Sequence, residues 1–170
     1  MNPSPTRRQL SLYVPREFAA AIEVVRRVVD PVQFGLIPAH VTLGREDEVE
    51  NLSIAELPSR FEVERPLVLR FGSPEVFAGH GIFWNCLDGE SEYQALRERV
   101  FGRSDLRRPR PHITLAHPRN PKASGNSLAA TAALAEGTEI LFDAVRLIEQ
   151  EGRGPWHVLE EFPLGDTKRG

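Results

Sequence analysis

The chain has 170 residues, of which 41% are hydrophobic and 26% charged, with a formal net charge of −3. That balance suits one soluble globular unit and excludes both a disordered polyelectrolyte and a protein that attracts polyanions by bulk charge, so any nucleic-acid contact must come from a local basic patch. The lone cysteine, Cys86, excludes an internal disulfide framework and a cysteine-based metal site, and no apolar run approaches the roughly 20 residues of a membrane span.

Residues 1–8 are polar, carry two prolines and read as a loose tail. Arg7 and Arg8 are followed by no leader-like apolar run, so a reduced cytoplasm is the expected compartment. Gln9 to Val14 reads as a strand. Pro15 opens a helix, and Phe18, Ala21, Ile22, Val25 and Val29 recur at helical spacing until Asp30-Pro31 ends it. Ala39 to Gly44 is a strand, the acidic stretch 46–50 a loop, and Ile54-Ala55 part of a short helix. Phe61 to Val63 and Leu67 to Phe71 read as strands. Val76 to Ala78 and Gly81 to Leu87 read as a hairpin turning at Gly79-His80-Gly81, with Cys86 a buried structural thiol. Ser91 caps a helix to Phe101, in which Tyr93, Leu96, Val100 and Phe101 share a face. Ile113 to Ala116 is a strand, Leu128 to Leu134 a helix, Glu139 to Glu149 a strand, Gly152 to Pro155 a turn and Trp156 to Glu161 a closing strand. Residues 165–170 read as a second tail.

One phrase occurs twice: His40-Val41-Thr42-Leu43 and His112-Ile113-Thr114-Leu115. In a strand, His and Thr at i and i+2 share one face while the apolar pair points into the core. Each copy therefore offers an imidazole beside a hydroxyl on an apolar support. Two such pairs facing one cleft supply two proton-transfer groups and two hydroxyl donors, as in-line displacement at a phosphodiester requires. The flanks repeat as well. A strand, a helix and the motif strand follow one another at 9–14, 16–29, 39–44 and again at 81–87, 91–101, 112–116, with Pro38 and Pro111 just ahead of the histidines. The expected fold is α+β: two pseudo-symmetric lobes with antiparallel or mixed sheets, outer helices, and a central cleft carrying both motifs. One bilobal domain is expected over 1–170, its first motif half at about 9–70 and its second at about 81–164.

On these two motifs the chain resembles the 2H phosphoesterase superfamily, which includes bacterial 2′-5′ RNA ligase-like proteins and RNA 2′,3′-cyclic phosphodiesterases. The resemblance covers nearly the whole chain. It implies a similar bilobal fold, His40 and His112 as the catalytic pair, and Thr42 and Thr114 as the groups that hold the phosphoryl oxygens. Relatives often carry Arg five residues after the second motif His, where this chain has His117; Arg45 occupies that position after the first motif.

Substrate contacts are expected from Phe34, Arg45, Arg110, His117 and Trp156. Phe34 lies just upstream of the first motif, and it, Phe83 and Trp156 are ring systems on which a base could stack, although each also suits a core. Arg103, Arg107, Arg108 and Arg110 crowd ahead of the second motif and, with Arg119 and Lys122, could steer a phosphate backbone or form a solvated loop. His80 and His157 read as surface histidines. The histidine spacings match no compact metal-ligand pair, and neither a Walker loop nor a Gly-x-Ser-x-Gly elbow is present. No metal or cofactor is therefore expected.

The expected activity is metal-independent hydrolysis of RNA or nucleotide 2′,3′-cyclic phosphates to 2′-phosphates by two-histidine acid–base catalysis. The alternatives are a 2′-5′ RNA ligase or 2′-5′ phosphodiesterase and a non-catalytic RNA- or nucleotide-binding module. The expected partner is RNA or a nucleotide with a cyclic phosphate or 2′-5′ linkage, bound by a monomer away from any membrane.

Overall fold

A computed structural model describes residues 5–62 and 65–165. Eight strands form one sheet in the order β6-β3-β4-β5-β2-β1-β7-β8. They are β1 (Thr6–Tyr13), β2 (His40–Gly44), β3 (Leu67–Phe77), β4 (Gly81–Asp88), β5 (His112–Ala116), β6 (Glu139–Phe142), β7 (Ala144–Glu151) and β8 (Trp156–Pro163). Every neighbouring pair is antiparallel. The two longer helices, α1 (Arg16–Val29) and α5 (Glu90–Phe101), each lead from one strand into a motif strand. The fold is thus α+β, and β1-α1-β2 repeats as β4-α5-β5.

The motif strands lie side by side at the middle of the sheet but share a single residue pair, Val41 with Ile113. Each side of that seam draws on distant parts of the chain. β2 and β1 are flanked by the C-terminal hairpin β7-β8, and β5 and β4 by β3 and β6. The core is continuous across the seam: Val41, Leu43, Ile113 and Leu115 are buried with Ile22, Val25 and Val29 of α1 and Tyr93, Leu96 and Val100 of α5. The last residue of β2 is Gly44, where a Cβ would lie 2.6 Å from Phe101 Cζ. Among the described residues no helix is long and apolar enough to cross a membrane.

Several local readings change. β1 begins at Thr6, because 6–9 pair with β7 beyond the reach of β2. Asp30-Pro31 ends α1 and also starts α2 (Pro31–Leu36): the Asp30 carboxylate accepts from Gln33 N at 2.9 Å, and proline fits a first turn. Phe34 therefore stands on a short helix and not in a loop. The acidic stretch folds as α3 (Glu46–Val49), its Glu48 carboxylate accepting from Arg45 N at 3.0 Å. Ile54–Glu56 is a 3-10 turn running into α4 (Leu57–Arg60), so Phe61 closes a helix instead of opening a strand, while Val63 lies outside the described residues. The segments at 67–71 and 76–78 merge into β3, and the strand at 139–149 breaks at Asp143 into β6 and β7. Leu128–Thr131 makes one 3-10 turn, and Gly89 in left-handed conformation, not Ser91, precedes α5.

Candidate active site

Along β2 and β5 the same burial alternation appears: His half-buried, Val or Ile buried, Thr half-buried, Leu buried. The histidines and threonines therefore share the face opposite the helices. The cross-strand neighbours of His40 and Thr42 are Tyr13 and Ser11 of β1; those of His112 and Thr114 are Asn85 and Phe83 of β4.

Both imidazoles are held in the same way. His40 Nδ1 lies 2.8 Å from Pro38 O, and His112 Nδ1 lies 2.9 Å from Arg110 O. A carbonyl oxygen only accepts, so Nδ1 carries the hydrogen and Nε2 is the free lone pair of each neutral ring. Each turned-back carbonyl belongs to the residue two before the histidine. Those approach segments are gripped from the outer helices. Arg26 of α1 donates to Ile37 O at 2.7 Å, and its partner Glu23 accepts from Ala39 N at 2.5 Å. Gln94 of α5 donates to Pro109 O at 2.8 Å. The carbonyl three residues before each motif histidine thus has a helical side-chain donor.

Where β2 and β5 part, α5 satisfies the backbone they leave free. Tyr93 Oη donates to Thr42 O at 2.7 Å, and Arg97 donates to Leu43 O while pairing with Glu48 at 2.6 Å. Burial pushes the Tyr93 phenol up, so it stays a donor. At the end of β5, His117 N donates to Asp30 at 2.8 Å.

Burial favours the neutral form of both catalytic candidates. Burial lowers His40 to about 4; the bond to Pro38 opposes this, while the charges of Arg26 and His112 add to it. Burial also lowers His112, against its bond to Arg110 O. The rings differ in surroundings. Tyr13 lies 6.3 Å from His40 at a tilt of 55°, whereas Phe83 stacks on His112 at 4.2 Å and 9°.

The other expected contacts scatter. Phe34 and Trp156 line one cavity of about 450 Å³ together with Pro38, Ala39 and Glu23, and none of the four motif His and Thr side chains lines it. Arg110 donates through Nε to Cys86 O at 2.9 Å and lends its carbonyl to His112. Arg45 is exposed at the start of α3. His117 is turned into its own loop, its Nδ1 accepting from Arg119 N at 3.1 Å, and burial lowers its pKa. The basic run is largely neutralised: Arg103, Arg107 and Arg108 pair with Asp105, Asp47 and Glu98 at 2.6–2.7 Å. Among the described residues no three His, Cys, Asp or Glu cluster as metal ligands would.

Tyr13 and Arg26 went unmarked in the sequence, and Tyr93 was marked only as part of the apolar face of α5. The alternation of Ser11 and Tyr13 with the buried Leu10 and Leu12 was the available signal for Tyr13; nothing local marks Arg26, or the bond Tyr93 makes to Thr42 O.

The family model for the 2′-5′ RNA ligase superfamily matches residues 14–154. A protein of Bacillus pumilus (strain SAFR-032) named Putative phosphoesterase is 27% identical over 150 residues, covering 83% of this chain and 87% of that one. Among solved structures, E. coli LigT complexed with ATP has a TM-score of 0.62 at 18% identity, covering 96% of this chain and 99% of that one. A structure described as a phosphoesterase has a TM-score of 0.60 at 15% identity, covering 95% and 100%. E. coli LigT complexed with 3′-AMP has a TM-score of 0.53 at 13% identity, covering 97% and 100%.

Proposed function

Because the chain belongs to the 2′-5′ RNA ligase superfamily, the group of the 2H phosphoesterases, we propose that it is a metal-independent phosphoesterase opening 2′,3′-cyclic phosphates of RNA or nucleotides to 2′-phosphates. The observation that carries this reading is the matched pinning of His40 and His112, each with Nδ1 on a backbone carbonyl and Nε2 free on one shared face. One neutral imidazole takes a proton from water as its oxygen bonds to phosphorus. The P–O3′ bond breaks, and the other imidazole, protonated when the anionic substrate enters, gives its proton to O3′. The two titrations are coupled through the shared phosphate. Thr42 and Thr114 hold the non-bridging oxygens as charge builds on them. Phe34 and Trp156 offer a nucleoside the walls of the cavity they share with Pro38 and Ala39, and Arg110 serves His112 through its carbonyl.

The test is hydrolysis, with EDTA present, of a short RNA ending in a 2′,3′-cyclic phosphate. The native protein should turn over, and His112→Ala should lose at least about 10²-fold, the lower range for a positioned acid or base. Unchanged turnover in the variant would sink the two-histidine mechanism.

A further inference from the structure

On the β5-β4-β3 side of the sheet three rings form a ladder. His112 stacks on Phe83 at 4.2 Å and 9°, and Phe83 stacks on Phe77 at 4.2 Å and 13°. The register puts all three on the face of the motifs: Phe83 lies opposite Thr114, Glu75 lies opposite Phe83, and Phe77 follows two residues later. Phe77 ends the ladder 48% exposed. Its cross-strand partner is Gly81, where a Cβ would lie 2.3 Å from Phe77 O, so β4 presents no side chain opposite it. Polar groups border the ladder, with Asn85 Nδ2 donating to Glu75 at 2.6 Å.

Two steps carry Phe77 about 8 Å from His112. A flat ring laid on Phe77 stands a further stacking distance out. That is beyond the base on the ribose that bears the reacting phosphate and within reach of the next base along a chain. We propose that the Phe77–Phe83 ladder seats the base of the nucleotide adjoining the reacting one, making the substrate an oligonucleotide rather than a cyclic mononucleotide. Every base has a π-face, so such a seat is tolerant of sequence, and Glu75 and Asn85 can hydrogen-bond to base edges beside it. The inference rests on the phosphoesterase reading for its orientation, but its test does not need turnover.

Binding of a dinucleotide 2′-phosphate is compared by calorimetry with that of the same compound lacking its 5′-side base, in native protein, Phe77→Ala and Phe77→Trp. Native protein should favour the intact dinucleotide by roughly tenfold, within the range for one stacked base. Phe77→Ala should erase that preference with its unfolding midpoint unmoved, and Phe77→Trp should keep it. Equal affinity of native protein for the two compounds, binding of neither, or a preference that survives in Phe77→Ala each overturns the ladder. Hydrolysis of the corresponding cyclic phosphates is followed in parallel. Absent turnover with the binding preference intact would sink the phosphoesterase reading and leave the ladder standing.

Discussion

At the residue scale the site is two histidines kept uncharged. With His40 at about 4 and His112 below its ordinary value, both rings are neutral at pH 7. On the proposed function, a phosphate bound between them would reverse the balance and draw in a proton. Binding of inorganic phosphate at pH 7 should therefore show an enthalpy that depends on the buffer's ionisation heat; independence from the buffer would refute proton uptake. The same depression has a stability consequence. Between the unfolded His value of about 6.5 and the folded value of about 4, the unfolded chain binds a proton that the native His40 refuses, so stability falls as pH drops through that window. His40→Gln should lose less stability than native protein between pH 7 and pH 4.5 in urea titrations. The motif pair itself was plain in the sequence, because His-x-Thr on one strand face needs only four adjacent residues. The tautomer was not, since it depends on how Pro38 and Arg110 turn their carbonyls back.

At the scale of elements, strands and helices grip one another through a few buried polar side chains. Arg26 is fully buried in α1 and serves Glu23, Gln33 O and Ile37 O together. Arg26→Met should destabilise the protein by about 3 kcal/mol, the low end for a broken buried pair, because Glu23 loses its counter-charge while staying partly solvated. Tyr93→Phe removes one donor without opening a cavity and should cost about 1–2 kcal/mol as Thr42 O loses its partner. Midpoints of urea unfolding measure both. The long periodic elements were legible: α1, α5, β2, β4 and β5 stand where apolar spacing put them. The short ones were not. α2 depends on Asp30 capping a helix that begins at once after another ends, and α3 on Glu48 bonding back to Arg45 N. The split of β6 from β7 follows from β6 pairing with β3 and β7 with β1, on opposite flanks of the sheet.

At the scale of the whole molecule, the internal repeat visible in the sequence is not the same as the two sides of the sheet. Residues 144–163 complete the side that carries His40, and β3 and β6 complete the side that carries His112. The sequence showed the repeat because it is local, and concealed the exchange because strand neighbours far apart in the chain leave no periodic trace. Neither 1–77 nor 81–165 should fold alone; circular dichroism of each fragment should show loss of the native spectrum, and their mixture should regain it only by reassociation. β1 has its own consequence in time. Its outer partner, β7, lies some 140 residues downstream, with Thr6 opposite Glu151. During synthesis β1 leaves the ribosome long before β7 and is thus among the last of the described strands to find its full pairing. Its β7-facing edge must stay unpaired while the intervening residues are made, a contact of high sequence separation that delays folding. Charged residues stand along that waiting edge, Arg7 and Arg8, which later meet Gln150 and Glu149. They give the nascent strand a means of staying soluble before its partner exists.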